Sequence, residues 1–292
     1  MAILLSLTYL IFGILISNKL GYIKHFLSKI LAQIFIPLVI IYNIIYYNKD
    51  YLILMIFSLI SSFLLFFIYL VSKKDSLKAL CFSYSNIGWL GVPIASSLFG
   101  GQASAVMVSL YIGSSIFGNS FARVALTNEN FLSIKTIKGI LKAPPVLAIF
   151  IAILIKSFQL EKILSEDVIH TLYFFAKTGM TFCGMCVLGI WLRNAKYSKQ
   201  DFIENFYTSF YKIVLGIVFV FILKNSFQNS FIITSNIYVI FIIFILPPAA
   251  NIVALETAYK KTGYSVNYIG ASTITSLIYI SGYYGFIKFL QF

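Results

Sequence analysis

Apolar segments of about 17 to 25 residues recur along the whole chain, separated by short polar stretches. Segments of this length form helices that cross the apolar core of a membrane. The pattern therefore predicts an all-α, polytopic membrane protein with ten transmembrane helices. We place these helices at residues 2–17, 27–47, 51–71, 79–99, 103–126, 144–158, 168–192, 203–223, 232–260 and 264–288.

Two of the predicted helices are interrupted near their centres. The interrupting residues are Asn86, Gly88, Gly91 and Pro93 in the fourth, and Pro247, Pro248 and Asn251 in the ninth. Backbone groups at such breaks cannot stay unpaired in lipid, so the breaks are expected where protein surrounds them and lines a cavity. Paired interruptions at matching positions indicate the substrate site of a secondary transporter. The alternative is a pair of proline kinks in packing helices.

The longest polar stretch divides the chain into two parts with five predicted helices each. It covers residues 127–143 and separates residues 1–126 from residues 144–292. Because five is odd, a repeated half must insert into the membrane in the opposite orientation. We therefore predict two inverted five-helix repeats joined by a cytoplasmic linker, with the broken helices 4 and 9 crossing at their breaks.

Charge distribution predicts the orientation of these helices. Only 11% of the residues are charged, against roughly 25% in soluble domains, and the formal net charge is +13. Of the 22 Lys and Arg residues, 16 fall on one side, counting Lys212, and the other 6 on the opposite side. Cytoplasmic loops carry such an excess, so both termini are expected outside the cytoplasm of a cell (inner) membrane. The net charge therefore reflects membrane orientation and does not indicate nucleic-acid binding.

The residues at the breaks favour an anionic substrate. The N-terminal ends of half-helices carry partial positive charge and attract anions, carboxylates especially. Asn86 and Asn251 offer hydrogen bonds without a permanent charge, and Gly88 and Gly91 allow the backbone to approach a ligand closely. We expect the crossing to form the binding site.

Two charged residues in the predicted helices are candidates for coupling or charge recognition. Glu256 is either an intramembrane proton relay or half of an i,i+4 pair with Lys260. Lys177 either attracts a substrate carboxylate or extends its ammonium group to the outer interface.

Motifs for catalysis are missing from the sequence. It has no HExxH, GxSxG or P-loop pattern, and both histidines lie in segments that flank predicted helices. Cys183 and Cys186 form a CGMC element, for which helix packing is a better explanation than redox chemistry or metal binding. We expect no enzymatic activity, no cofactor and no metal site. A channel is also disfavoured, because no charge ring or filter repeat is present.

Residues 82–100 resemble the fourth-helix signature of the auxin efflux carrier family, which includes plant PIN carriers and bacterial permeases. The resemblance rests on Phe82, Ser83, Asn86, Gly91, Pro93 and Gly100. Residues 246–263 resemble its ninth-helix signature through Pro247, Pro248, Ala249 and Tyr259. The segment at 20–23, followed by Pro37, is also similar.

This resemblance implies an elevator-like carrier of a small organic anion, such as a mono- or dicarboxylate. It also implies a moving transport domain that contains the crossing, and a scaffold that forms homodimers in the lipid bilayer. The alternative is a sodium- or proton-coupled symporter or antiporter of the related bile-acid-transporter-like fold. A membrane-embedded enzyme and a sensor are further alternatives.

Overall fold

The computed structural model describes residues 2–20, 22–46, 52–100, 102–127, 141–142, 144–160, 166–193 and 195–290. Within these ranges every extended regular element is a helix, and the one β-bridge is isolated. The helices are α1 (Ala2–Leu20), α2 (Ile23–Ile30), α3 (Ile36–Ile45), α4 (Leu52–Lys73), α5 (Ser76–Ser83), α6 (Val92–Phe99), α7 (Ala103–Thr127), α8 (Pro144–Ser157), α9 (Glu166–Leu192), α10 (Lys199–Ser226), α11 (Phe231–Ser235), α12 (Ile237–Ile245), α13 (Asn251–Lys260) and α14 (Ser265–Leu290). Two π-helical turns, Leu31–Phe35 and Ile87–Gly91, lead into α3 and α6.

The helices have the length and surface of a membrane protein. Five are long and apolar enough to cross a membrane, namely Ile23–Tyr42, Leu52–Lys73, Ala103–Thr127, Asp167–Leu192 and Lys199–Ser226. Large apolar side chains also face outward, as at Phe150, Phe174 and Phe221, which are 51%, 71% and 64% exposed. Such faces suit a lipid environment. The all-α prediction is confirmed, while the arrangement of ten helices in two inverted repeats stays a prediction.

The described helices pack into two groups, and each group draws on both parts of the chain. In the first bundle, α1 packs along α9 and α3 packs along α8, with α2 beside α9. In the second bundle, α4 packs along α5 and α7, while α10 packs along α12 and α14. The second bundle also contains α6, α11 and α13. The two bundles meet mainly where α13 contacts α2 and α9.

Close approach of two backbones holds α1 against α9. Gly13 lies against the backbone of Cys186, and Gly189 lies against the carbonyl oxygen of Leu10. A Cβ atom at either glycine would overlap these backbone atoms. Ser17 adds a hydrogen bond from its hydroxyl to the Ile190 carbonyl, at 3.1 Å. Small residues that allow such contact are the usual means of helix association in membranes.

The break in the fourth predicted helix lies earlier in the chain than the sequence predicts. The chain leaves the helix at Tyr84–Asn86, whereas Pro93 is the second residue of α6. Pro93 follows the π-helical turn inside one continuous helical stretch, Ile87–Phe99, in which the Val92 N–H donates to the Ile87 carbonyl. Prolines and π-helical turns bend helices without ending them. The expectation that the chain unwinds at Pro93 was therefore wrong. Most of the predicted linker 127–143 lies outside the described residues.

The packing of α1 and α9 can be tested with one substitution. Gly189→Ala should destabilise the protein by about 1–3 kcal/mol, because the new methyl group overlaps the Leu10 carbonyl and forces the helices apart. The measurement is the thermal unfolding midpoint in detergent. Gly282→Ala is the control, because Gly282 has open space around its Cβ position, so alanine should be neutral or stabilising. Equal midpoints for the two variants would contradict this packing.

Candidate functional site

The two interrupted segments lie side by side and pair with each other. Between α5 and α6, residue Ser85 forms an antiparallel bridge with Pro248, which lies between α12 and α13. The Asn86 N–H donates to the Pro247 carbonyl, and the Ala249 N–H donates to the Tyr84 carbonyl, both at 2.8 Å. Each break thus supplies hydrogen-bond partners that the other has lost by leaving its helix.

Pro247 and Pro248 are part of this bridge. A proline has no N–H to satisfy, so the buried stretch that contains them presents fewer unpaired donors than any other sequence would. The Pro247 carbonyl is the acceptor in the bridge. Neither proline lines the small cavity at the crossing, so the contacts seen for them are structural and their part in substrate binding stays a prediction.

Two helix beginnings surround a small cavity at the crossing. Ile87, Gly88 and Trp89 line it from the start of the π turn before α6, and Ala249 and Asn251 line it from the start of α13. The cavity has a volume of about 20 Å³, which is room for about one water molecule. Tyr111 and Met180 complete its wall. The crossing is therefore closed around a site where two half-helix N-termini converge.

A buried polar network supports this cavity. The Tyr84 hydroxyl accepts hydrogen bonds from Asn251 Nδ2 at 3.0 Å and from Asn119 Nδ2 at 3.3 Å. Asn119 also donates to the carbonyl and hydroxyl oxygens of Ser115, at 2.8 and 2.9 Å. Its Oδ1 is buried and has no hydrogen-bond partner among the described residues. Our sequence analysis missed Tyr84 and Asn119, although an Asn inside the apolar stretch 103–126 was a usable signal.

A buried lysine lies directly behind the bridge. Lys212, 4% exposed, donates from Nζ to Ser85 Oγ at 2.6 Å and to the Leu246 carbonyl at 3.2 Å. Ser85 in turn donates to the Ile243 carbonyl at 2.9 Å. Among the described residues, no carboxylate pairs with Lys212. The assignment of Lys212 to the cytoplasmic side is corrected, because it lies in the middle of α10 and touches the crossing.

The other predicted site residues fall in different places. Asn86 lines the small cavity, and its side chain makes no hydrogen bond within the described residues. Gly88 also lines it, with the Tyr111 ring against its Cα. Gly91 instead packs against Met107 and Leu246, whose side-chain ends would have to shift to admit a Cβ atom, and it lines none of the cavities described for the chain. Its contacts are those of packing, and its role in binding stays a prediction.

A larger apolar cavity opens beside the crossing and shares Asn86 and Trp89 with it. Its volume is about 300 Å³, within the range of small-molecule sites. Leu10, Met185, Leu188 and Leu192 form its wall on the first bundle, and Ala250, Ile269, Gly270, Thr273 and Ile274 form its wall on the second. The cavity therefore lies between the two bundles. Trp89 also contacts both, because its indole N–H donates to Thr181 Oγ1 on α9, at 3.2 Å.

Glu256 does not form the predicted pair with Lys260 among the described residues, and its role as a proton relay stays a prediction. It is fully buried and accepts four hydrogen bonds, two from hydroxyls and two from backbone N–H groups. The donors are Thr262 Oγ1 at 2.6 Å, Tyr264 N at 2.8 Å, Ser265 N at 2.9 Å and Ser265 Oγ at 2.6 Å. The carboxylate thus satisfies orphan donors at the start of α14. Lys260 is exposed, and among the described residues it forms no ion pair with Glu256.

Lys177 does not reach the crossing. Its side chain is exposed, and its Nζ lies 5.6 Å from the centre of the Tyr173 ring on the same helix. It lines neither the small cavity nor the larger apolar one. The basic residue at the candidate site is Lys212.

No protein-family model matches the chain, and no curated protein sequence matches it either.

The role of Glu256 can be tested by removing its charge alone. Glu256→Gln should lower the free energy of unfolding by about 1–3 kcal/mol, because the new amide nitrogen faces buried donors and leaves one unpaired. Thermal unfolding in detergent measures this. Asp167→Asn, at an exposed position, should stay within about 0.5 kcal/mol of the unsubstituted protein. Full stability of Glu256→Gln would contradict this structural role. If that variant lost only pH-gradient-driven uptake, the result would support the proton-relay hypothesis.

Proposed function

We propose that the protein is a secondary transporter of a small organic anion, such as a mono- or dicarboxylate, and that the substrate binds at the crossing of the two broken helices. The observation that carries this proposal is the bridge between Ser85 and Pro248, with two half-helix N-termini around one cavity. In secondary transporters, discontinuous helices of this kind form substrate sites, and their N-termini face anionic groups.

The charge near the crossing supports an anion as the substrate. Lys212 brings a positive charge to the crossing, with no carboxylate paired to it among the described residues. A buried charge without a counter-ion is costly, and a bound anion would lower that cost. Ser85, which accepts from Lys212, also lines the small cavity. Only the Ser85 side chain thus separates the Lys212 ammonium group from the small cavity.

The two cavities fit the two ends of such a substrate. Asn86 lines both, so a carboxylate held near Asn86 at the helix N-termini would leave its apolar part in the 300 Å³ cavity. The small cavity holds about one water molecule in this arrangement, so binding requires it to widen. A shift between the two bundles would provide that space, because the larger cavity lies between them.

We propose an elevator-like mechanism on the same basis. The second bundle, which contains the crossing, is the moving domain, and the first bundle is the scaffold and the surface for a homodimer. Residues 1–126 and 144–292 form the two inverted five-helix repeats, with the linker between them in the cytoplasm. This assignment agrees with the resemblance to the auxin efflux carrier family and places both termini outside the cytoplasm of a multi-pass membrane protein.

One contact argues against a coupling sodium at the crossing. Carbonyl groups at the C-terminal ends of half-helices coordinate sodium in several carriers of related design. Here the Leu246 carbonyl, just past the end of α12, already accepts from Lys212. This favours a carrier without sodium at this position over the sodium-coupled alternative.

The proposal predicts flux that depends on Asn86. Purified protein in liposomes should exchange a radiolabelled carboxylate from a panel of mono- and dicarboxylates. Asn86→Ala should weaken binding of that carboxylate about tenfold, because a charged substrate oxygen loses a hydrogen bond. Asn236→Ala is the matched control, since Asn236 bonds within its own segment to the Ile232 carbonyl. Absence of flux for every carboxylate, or an unchanged affinity in Asn86→Ala, would contradict the proposal.

Lys212→Met tests the charge at the crossing. Methionine keeps most of the length of the side chain but removes the ammonium group, so affinity for the carboxylate should fall about tenfold or more. The affinity is measured from ligand-dependent shifts in the unfolding midpoint. Lys224→Met removes an exposed charge from the same helix and should leave the affinity unchanged. Full affinity in a folded Lys212→Met protein would remove this charge from substrate recognition.

A further inference from the structure

A third and larger cavity is lined by basic side chains from three parts of the chain. Its volume is about 630 Å³. His25 and Lys29 reach it from α2, Arg123 from α7, and Lys261 from the residue that follows α13. Tyr259 and Thr257 add hydroxyl groups to its wall. None of these residues lines the crossing, so this is a separate site.

Among the described residues, no acidic side chain neutralises the positive charge of this cavity. No Asp or Glu of the described ranges lines it. Within the described part of the chain, the ion pair present is that of Lys78 with Glu204, and neither of these residues belongs to the cavity. Lys24, the neighbour of His25, is engaged elsewhere, with its Nζ 3.6 Å from the centre of the Trp191 ring. Two lysines, an arginine and a histidine therefore surround an open volume, and no described carboxylate serves as their counter-ion.

We propose that this cavity binds a phosphate group. The Arg123 guanidinium offers paired donors that match phosphate oxygens, while the Lys ammonium groups add charge and the Tyr259 hydroxyl adds a donor. Lys29, Arg123 and Lys261 all belong to the side that the charge distribution assigns to the cytoplasm. Basic pockets between transmembrane helices on that side hold the headgroups of anionic phospholipids. A soluble phosphate compound offers the same chemistry.

A phosphate here would connect the two bundles. α2 and Pro144 of α8 belong to the first bundle, while Arg123 and Tyr259 belong to the second. One ligand in contact with both sides stabilises the relative position seen in this structure, since it loses contacts when the bundles shift. The site would thus act on any motion between the bundles. Binding itself does not require that the protein be a transporter.

The experiment is thermal unfolding of the purified protein in neutral detergent, with three probes at matched ionic strength. The probes are dioctanoyl phosphatidylglycerol, dioctanoyl phosphatidylcholine and inorganic phosphate. We expect phosphatidylglycerol to raise the unfolding midpoint in a saturable way, and phosphatidylcholine, whose headgroup has no net charge, to raise it less. A response to phosphatidylglycerol alone identifies a lipid headgroup, and an equal response to inorganic phosphate identifies a soluble ligand.

Two double variants distinguish binding at this cavity from a general effect of surface charge. Lys29→Gln with Arg123→Gln should weaken binding of phosphatidylglycerol about fivefold for each charge removed. Lys74→Gln with Lys199→Gln removes the same charge from exposed positions that line none of the described cavities, and its affinity should be unchanged. The single variant Lys29→Gln changes an exposed position and should fold normally. It shows whether weaker binding persists when the double variant misfolds. Equal affinities in both double variants, or no response to any anionic probe, would overturn the proposal.

Discussion

Pairing of backbone groups between the two breaks is the constraint on which the rest of the structure depends. A helix that stops inside an apolar bundle leaves donors and acceptors that cost several kcal/mol each if they stay unpaired. Here the Asn86 N–H reaches the Pro247 carbonyl, and the Ala249 N–H reaches the Tyr84 carbonyl. The two breaks must therefore be neighbours, and every helix of the second bundle is arranged so that they remain so. The cavity at the crossing is a consequence, because both half-helices begin again beside the bridge.

Lys212 connects the same two breaks through its side chain. Its Nζ donates to one hydroxyl and one carbonyl, so two of the three donors of the ammonium group have partners among the described residues, and neither partner carries a negative charge. A lysine in this position fixes Ser85 and the end of α12 together, which stabilises the bridge. It also leaves a positive charge near the cavity. One side chain thus supports the crossing and also provides the charge on which the proposed preference for an anion rests.

Two cavities lie between the bundles, whereas a close contact between helix backbones lies within the first bundle. The α1–α9 contact brings two backbones together at Gly13 and Gly189 and fixes these two helices of the first bundle against each other. The larger apolar cavity and the basic cavity both lie where the first bundle meets the second. Side chains such as Trp89 make contacts there. The proposed motion and the proposed phosphate site both belong to this boundary.

The sequence alone determined the helical membrane character, because apolar runs of membrane length have few other solutions. It also identified the two interrupted segments, since Gly, Pro and Asn stand out in such runs, and it predicted that Asn86 and Asn251 lie together at their crossing, where both line the small cavity. Tertiary structure decided what each residue does there. The break lies at Tyr84–Asn86, and Pro93 lies within the helical stretch Ile87–Phe99. Glu256 accepts hydrogen bonds at the start of α14, and Lys212 rather than Lys177 lies at the crossing. Those outcomes depend on which helices become neighbours, and hydrophobic periodicity carries no information about that choice.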